Sequence, residues 1–228
     1  MSNEWLGLVA LGVLFIVIFI GFPIAFTLGA VALATGFIAL GPVVFDLGVL
    51  QTYSVMKDTV LAAIPFFLFM GFLLEQSGIM ERLFHGIQQL LSRLNGSLYL
   101  AVLITATIFA AATGTVGSSV TLLGVMAGPS MIKSGYDAKM SAGAITAGGT
   151  LGILIPPSVM LIVMGPVVGV PATDLFAAAV LPGLLLSGIF IGWTLLRCWH
   201  NPSLGPALPE EMRPKSLGPV ILDLMIGV

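Results

Sequence analysis

The sequence predicts an all-α integral membrane protein, and three observations carry that prediction. Hydrophobic residues make up 58% of the 228 positions and charged residues only 8%, whereas a soluble domain carries about a quarter charged residues. Mean hydropathy is +1.13. The apolar residues are also gathered into long runs of helix-spanning length, separated by short polar turns. Such a chain lacks the polar side chains to face water on all sides. Its net charge of −2 points to no partner, because the charges are spread through connecting segments. No basic cluster fits nucleic acid or an anionic lipid surface. The single cysteine, Cys198, excludes an intrachain disulfide. It falls beside an expected membrane boundary, where it reads as a filler rather than an acylation site. The N-terminus lacks the positive flank and cleavage box of a removable signal peptide, so its first apolar run reads as a permanent span.

A helix needs roughly 20 apolar residues to cross the hydrocarbon core. Residues 5–40 are almost continuously apolar and fit two spans, broken at Gly21-Phe22-Pro23 because proline ends one helix and opens the next. Residues 40–58 read as a mixed connector and residues 59–77 as a third span. Residues 79–97 differ in kind. Ile79, Leu83, Phe84 and Ile87 recur at helical spacing, while Glu81, Arg82, Gln88, Gln89 and Arg93 take other faces. That pattern predicts an amphipathic helix lying on the membrane surface, stopped at Asn95-Gly96. The run 98–132 is uncharged apart from its flanks, and "KSGYDAK" (133–139) is a polar turn. Residues 140–168 are apolar but interrupted by glycines and by Pro156-Pro157. A turn at 169–174 precedes a span at 175–196. The proline-rich stretch 197–216 reads as irregular, and the apolar element after it stops within about a dozen residues, short of a full span; a fragment is the expectation.

Orientation follows from basic residues in short loops. They fall at Arg82 and Arg93, at Lys133 and Lys139, and at Arg197, Arg213 and Lys215, while the 41–58 connector has only Lys57. An external N-terminus and three crossings put 79–97 inside, and the 133–139 turn belongs inside as well. Residues 98–132 must therefore enter and leave by one face. Two spans of about 16 residues each would be short for the bilayer; a re-entrant hairpin with "TGTVGSS" at its tip is the favoured reading.

Irregular backbone at membrane depth is tolerated where it is buried in protein or lines a watery cavity. Gly114 and Gly117 let the tip turn, and Ser118 and Ser119 offer oxygens and a cap for the returning helix. Pro156 and Pro157 break the second stretch and free carbonyls beside Thr150 and Ser158. Two broken elements meeting at mid-membrane resemble a secondary transporter's site, with helix N-termini for an anion and loosened carbonyls for a cation. With no Asp, Glu, His, Lys or Arg in 98–132 or 140–173, sodium fits better than a proton. Simple helix packing through small residues, as in "GGTLG" (148–152) or "GVMAG" (124–128), is the competing account. It would leave a structural membrane subunit without an ion site. An intramembrane serine protease is the enzymatic alternative, but it needs a base near its serine, and His85 and His200 fall in surface segments. Neither histidine reads as a metal ligand. Glu75, at the expected cytoplasmic end of the third span, reads as a snorkelling or capping residue.

Four blocks, "GFPIAFTLG" (21–29), "TGTVGSSV" (113–120), "SGYDAKMSAGAITAGGTLGILIPPSVMLIVMG" (134–165) and "FAAAVLPGLLL" (176–186), closely resemble the large membrane subunit of tripartite ATP-independent periplasmic (TRAP) transporters. The resemblance implies a place in the ion-transporter superfamily and the first half of an inverted-repeat, elevator-type carrier. It implies scaffold spans and an arm helix in 1–97, half of a transport domain in 98–173, and in 174–228 a further span, a cytoplasmic linker and the start of a second repeat. A small membrane subunit and a periplasmic substrate-binding protein are the implied partners, in the inner membrane of a bacterium or archaeon. The implied activity is sodium-coupled uptake of organic anions such as C4-dicarboxylates or sialic acid, with no enzymatic step and Na+ as coupling ion in place of a cofactor. By motif, Gly117, Ser118, Ser119, Thr150 and Gly152 are the implied sodium-site residues, and Ser119, Pro156, Pro157 and Ser158 the implied substrate contacts.

Overall fold

Helices account for every regular element among the described residues, 3–207 of a computed structural model. The chain divides into two compact units, one running through Thr59 and the other from Val60 onward. In the first, α1 (Asn3–Ile20), α2 (Ile24–Leu40) and α3 (Val43–Met56) follow one another with short breaks. Gly21 turns at φ 99°. Pro23 then caps α2, its carbonyl accepting from the Thr27 N–H at 3.1 Å. The mixed connector expected at 40–58 is mostly α3. Gly41 at φ 69° and Pro42 set its start, and Asp46 in its first turn complements the helix dipole. The polar residues Gln51, Thr52 and Ser54 interrupt hydropathy without breaking the helix, since none of them restricts φ.

The second unit is built around α6. Its elements are α4 (Ile64–Gln76), α5 (Ile79–Leu90), α6 (Ser97–Thr113), α7 (Gly117–Lys133), α8 (Ala138–Leu154), α9 (Val159–Val168) and α10 (Ala172–His200). Helix α5 is amphipathic as its pattern predicts. Met80, Leu83, Phe84 and Ile87 are buried while Glu81, Arg82 and His85 are exposed. The buried face joins a core of Leu98, Tyr99, Val102, Ala106 and Phe109 from α6, with Leu123, Ala127 and Met131 from α7 and Ile145 from α8. Small residues let these helices approach. A Cβ on Gly148 would lie 3.0 Å from the Ala106 methyl carbon, and one on Gly149 would run into Val120.

Helix α8 starts on Asp137, whose carboxylate accepts the Met140 N–H at 2.8 Å. It ends where proline forbids continuation. Ile155 and Ser158 are extended, the Pro156–Pro157 peptide is cis, and α9 departs at 43° to α8. The broken helix expected at 140–168 is therefore present. Helix α10 is long and apolar enough to cross a membrane by itself, and the bent α8–α9 pair passes the same test together. It carries Arg197 to His200, so the expected irregular stretch begins only at Asn201, where the following Pro202 stops the helix. The second-repeat start, with Arg213 and Lys215, lies outside the described residues.

Residues 201–207 fold back over the base of the α6–α7 pair. Gly96 N–H donates to the Gly205 carbonyl at 2.8 Å and Asp137 N–H to that of Leu204 at 3.0 Å. The Tyr99 hydroxyl donates to the same Leu204 carbonyl at 2.8 Å. Tyr136 completes the joint. Its ring lies edge-on to Tyr99 with centroids 4.8 Å apart, and its hydroxyl accepts the Leu98 N–H at 3.3 Å. Burial pushes the Tyr136 phenol above its ordinary pKa, against the lowering effect of its Ser97 and Leu98 hydrogen bonds.

Candidate functional site

The turn between α6 and α7 takes only three residues. Gly114 adopts φ 60°, the left-handed conformation that ends a helix without a Cβ penalty, and Val116 is the N-cap of α7. No side chain caps α7. Ser118 and Ser119 instead lie inside its first turn, which corrects the capping role expected for them. The hydroxyls are organised around the tip. Ser119 donates to the Thr115 carbonyl at 2.9 Å and lies 3.3 Å from Thr113 Oγ1, and both side chains are buried. Ser118 is exposed and pairs with Thr115 Oγ1 at 2.7 Å.

The tip rests directly on the break between α8 and α9. A Cβ on Gly114 would lie 2.8 Å from the Pro157 carbonyl oxygen and 3.3 Å from Ser158 Cα. One on Gly152 would lie 2.8 Å from the Thr115 carbonyl oxygen. Gly71 of α4 closes a third side, where a Cβ would stand 3.1 Å from the Thr113 carbonyl oxygen. The two stretches that look anomalous in the sequence thus touch, backbone to backbone. Ser158 lies fully buried at this contact, and its Oγ has no hydrogen-bond partner among the described residues. Gln88 Oε1 and Thr105 Oγ1 share that condition, but Thr105 is about two turns along α6 from Thr113.

Of the expected residues, Ser119, Gly152, Pro157 and Ser158 belong to this contact, and Gly117 opens the helix beside it. Pro156 is half-buried within the break. Thr150 is not drawn in. It is exposed and its hydroxyl donates to the Ala147 carbonyl at 2.7 Å, because Gly149 and Gly152 take the face of α8 that meets the hairpin. Gly114, Thr115 and Gly71 are the residues the expected set lacks. Their contribution is close approach and carbonyl oxygen, which motif reading for side-chain oxygens passes over. The electrostatics follow from the helix ends. N–H groups at the starts of α7 and α9 present partial positive charge, while the last carbonyls of α6 and α8 present partial negative charge. An uncharged site of this kind offers N–H donors for an anion and oxygen acceptors for a cation side by side.

Residues 11–215 match the family model of the tripartite ATP-independent periplasmic transporter, DctM component. The chain is 29% identical to the C4-dicarboxylate TRAP transporter large permease protein DctM of Rhodobacter capsulatus, over 96% of this chain and 54% of that protein. It is 31% identical to the sialic acid TRAP transporter large permease protein SiaM of Vibrio cholerae, over 98% of this chain and 50% of that protein. With the isethionate TRAP transporter permease protein DctMQ of Oleidesulfovibrio alaskensis it shares 32% identity, over 82% of this chain and 29% of that protein. The chain spans about half the length of the first two relatives. With an all-helical fold, a hairpin seated on a proline-broken helix and a family match over most of its length, the chain belongs to the DctM component family of TRAP transporter large permeases, membrane transport proteins rather than enzymes.

Proposed function

We propose that this chain supplies one half of the ion and substrate site of a sodium-coupled carrier for small organic anions, working in the inner membrane by an elevator motion with a small membrane subunit and a periplasmic binding protein. The substrates named for the relatives, C4-dicarboxylates, sialic acid and isethionate, are all anions at neutral pH, which suits helix N-termini facing a cavity. The observation that carries the reading is Ser158. A fully buried hydroxyl without a partner costs roughly 1–3 kcal/mol. A cation held among Ser158 Oγ and the carbonyls of Thr115 and Pro157 would remove that cost. Sodium takes neutral oxygen ligands, and the hairpin and broken helix provide such atoms without a titratable group. Thr150 faces elsewhere and is given no part in this cradle.

The test is uptake by the assembled, full-length transporter as a function of sodium concentration. Ser158→Ala and Ser119→Ala should each raise the sodium concentration for half-maximal uptake by about tenfold, the equivalent of ~1.4 kcal/mol, with near-normal expression. Unaltered sodium dependence in both variants would favour helix packing as the reason for these hydroxyls.

A further inference from the structure

Helix α4 brings a carboxylate to the hairpin. Gly71 lies against the Thr113 carbonyl, and Glu75 is one turn further along the same face of α4, about 6 Å away. A groove of about 370 Å³ there is lined by Glu75 and Gln76 on one side and by Gly117, Ser118, Thr121 and Val125 of α7 on the other. The first turn of α7 is some 20 Å along the helix from Lys133 at the hairpin base. Glu75 therefore lies near the tip of the hairpin rather than at its base.

The groove gathers several oxygen lone pairs around one full negative charge. The Thr121 hydroxyl spends its one proton on the Gly117 carbonyl at 2.9 Å, so its lone pairs are free to accept. Ser118 and Thr115 share one hydrogen bond at 2.7 Å, which leaves further lone pairs on the two oxygens. The half-buried Glu75 has no hydrogen bond or ion pair among the described residues, and it is the one charged side chain lining the groove. No lysine, arginine or histidine lines it. The positive end of α7 contributes about half a unit charge, less than the carboxylate carries. A single carboxylate among hydroxyl and amide oxygens matches a hard monovalent cation; a divalent ion draws on more carboxylates.

We propose that Glu75, Gln76, Ser118 and Thr121 form a second alkali-cation site between α4 and α7, separate from the cradle at Ser158. The site requires neither Ser158 nor the broken helix. In an apolar helix pair an unpaired carboxylate has a standing electrostatic cost, and a sodium ion in the groove neutralises it.

Binding of ²²Na+ to the purified chain in detergent micelles tests the proposal directly. Ionic strength is held constant with choline chloride, and wild type is compared with Glu75→Gln, Thr121→Val and Ser158→Ala. Two equivalents are expected: one whose dissociation constant rises at least tenfold in Glu75→Gln, rises by a smaller factor in Thr121→Val, and is unchanged in Ser158→Ala, and one weakened by Ser158→Ala alone. Gel filtration and circular dichroism establish that each variant is folded, and Thr121→Val, isosteric and exposed, stands in should Glu75→Gln fail that check. Sodium binding that is the same in wild type and in every folded variant of the groove overturns the proposal. A single equivalent, sensitive to Ser158→Ala alone, overturns it while leaving the cradle intact. A single equivalent, sensitive to the groove variants and not to Ser158→Ala, supports it and counts against the cradle.

Discussion

Gly152 and Gly143 lie on one helix and differ in what a methyl group would meet. At Gly152 it meets a backbone carbonyl, Thr115 O at 2.8 Å, which moves only if the hairpin tip moves. At Gly143 nothing lies within 4 Å. Gly152→Ala should therefore lower stability by about 1–3 kcal/mol, the usual cost of overpacking. Gly143→Ala should raise it by up to about 1 kcal/mol through helix propensity. Thermal unfolding of the purified chain in detergent decides; equal effects would show that the tip does not rest on α8. The same glycines explain what was legible in the sequence. Gly148 and Gly152 look like a packing pattern, while Thr150 looks like chemistry. Packing and site are one face here, and Thr150, about 100° round the helix from Gly149, misses it. A motif identifies the stretch; only the helix register identifies the face.

At the scale of elements, the strap formed by residues 201–207 ties α6, α8 and the end of α10 together through Leu204 and Gly205. Cys198, buried against Gly96, reports its opening and is the chain's one thiol. Tyr99→Phe removes the bond to the Leu204 carbonyl, worth about 1 kcal/mol net, and should speed Cys198 alkylation severalfold with little change in helix content. An unchanged alkylation rate would show that the strap does not hold this joint. Alkaline pH should act at the same place. The folded Tyr136 pKa is raised by burial, so its contribution is fully present below the ordinary tyrosine value of about 10 and falls as pH rises beyond it. This strap was not legible, because it bonds through its own backbone carbonyls and its Pro-rich composition resembles a free linker. The amphipathic α5 was legible, since the alternation of Met80, Phe84 and Ile87 with charged residues admits one burial face. Helix α3 was hidden by polar residues that lower hydropathy without obstructing a helix.

For the molecule as a whole, composition decides the solvent and helix length decides the depth. Helix α6 has 17 residues, about 25 Å at 1.5 Å per residue, less than a hydrocarbon core of about 30 Å. A pair of such helices joined by a three-residue turn, with charged residues Lys133 and Asp137 beside its base and none in the sequence of its tip, fits a hairpin that enters and leaves by one face. Two short spans joined outside would place Gly114 and Thr115 in water, yet both pack against the broken helix. Cysteine accessibility separates these topologies in a Cys198→Ser background, with the transporter in sealed right-side-out vesicles. Ser134→Cys at the base should react with a bulky impermeant maleimide only after the cytoplasmic face is opened. Ser118→Cys, exposed beside the groove, should remain unlabelled from outside by that reagent while a small permeant reagent reaches it through the protein. Free labelling of Ser118→Cys from outside, with and without sodium, would make the tip an external loop. The backbone contact of Gly114 with Pro157 would then lie near the outer surface, and a mid-membrane ion site at Ser158 would be untenable.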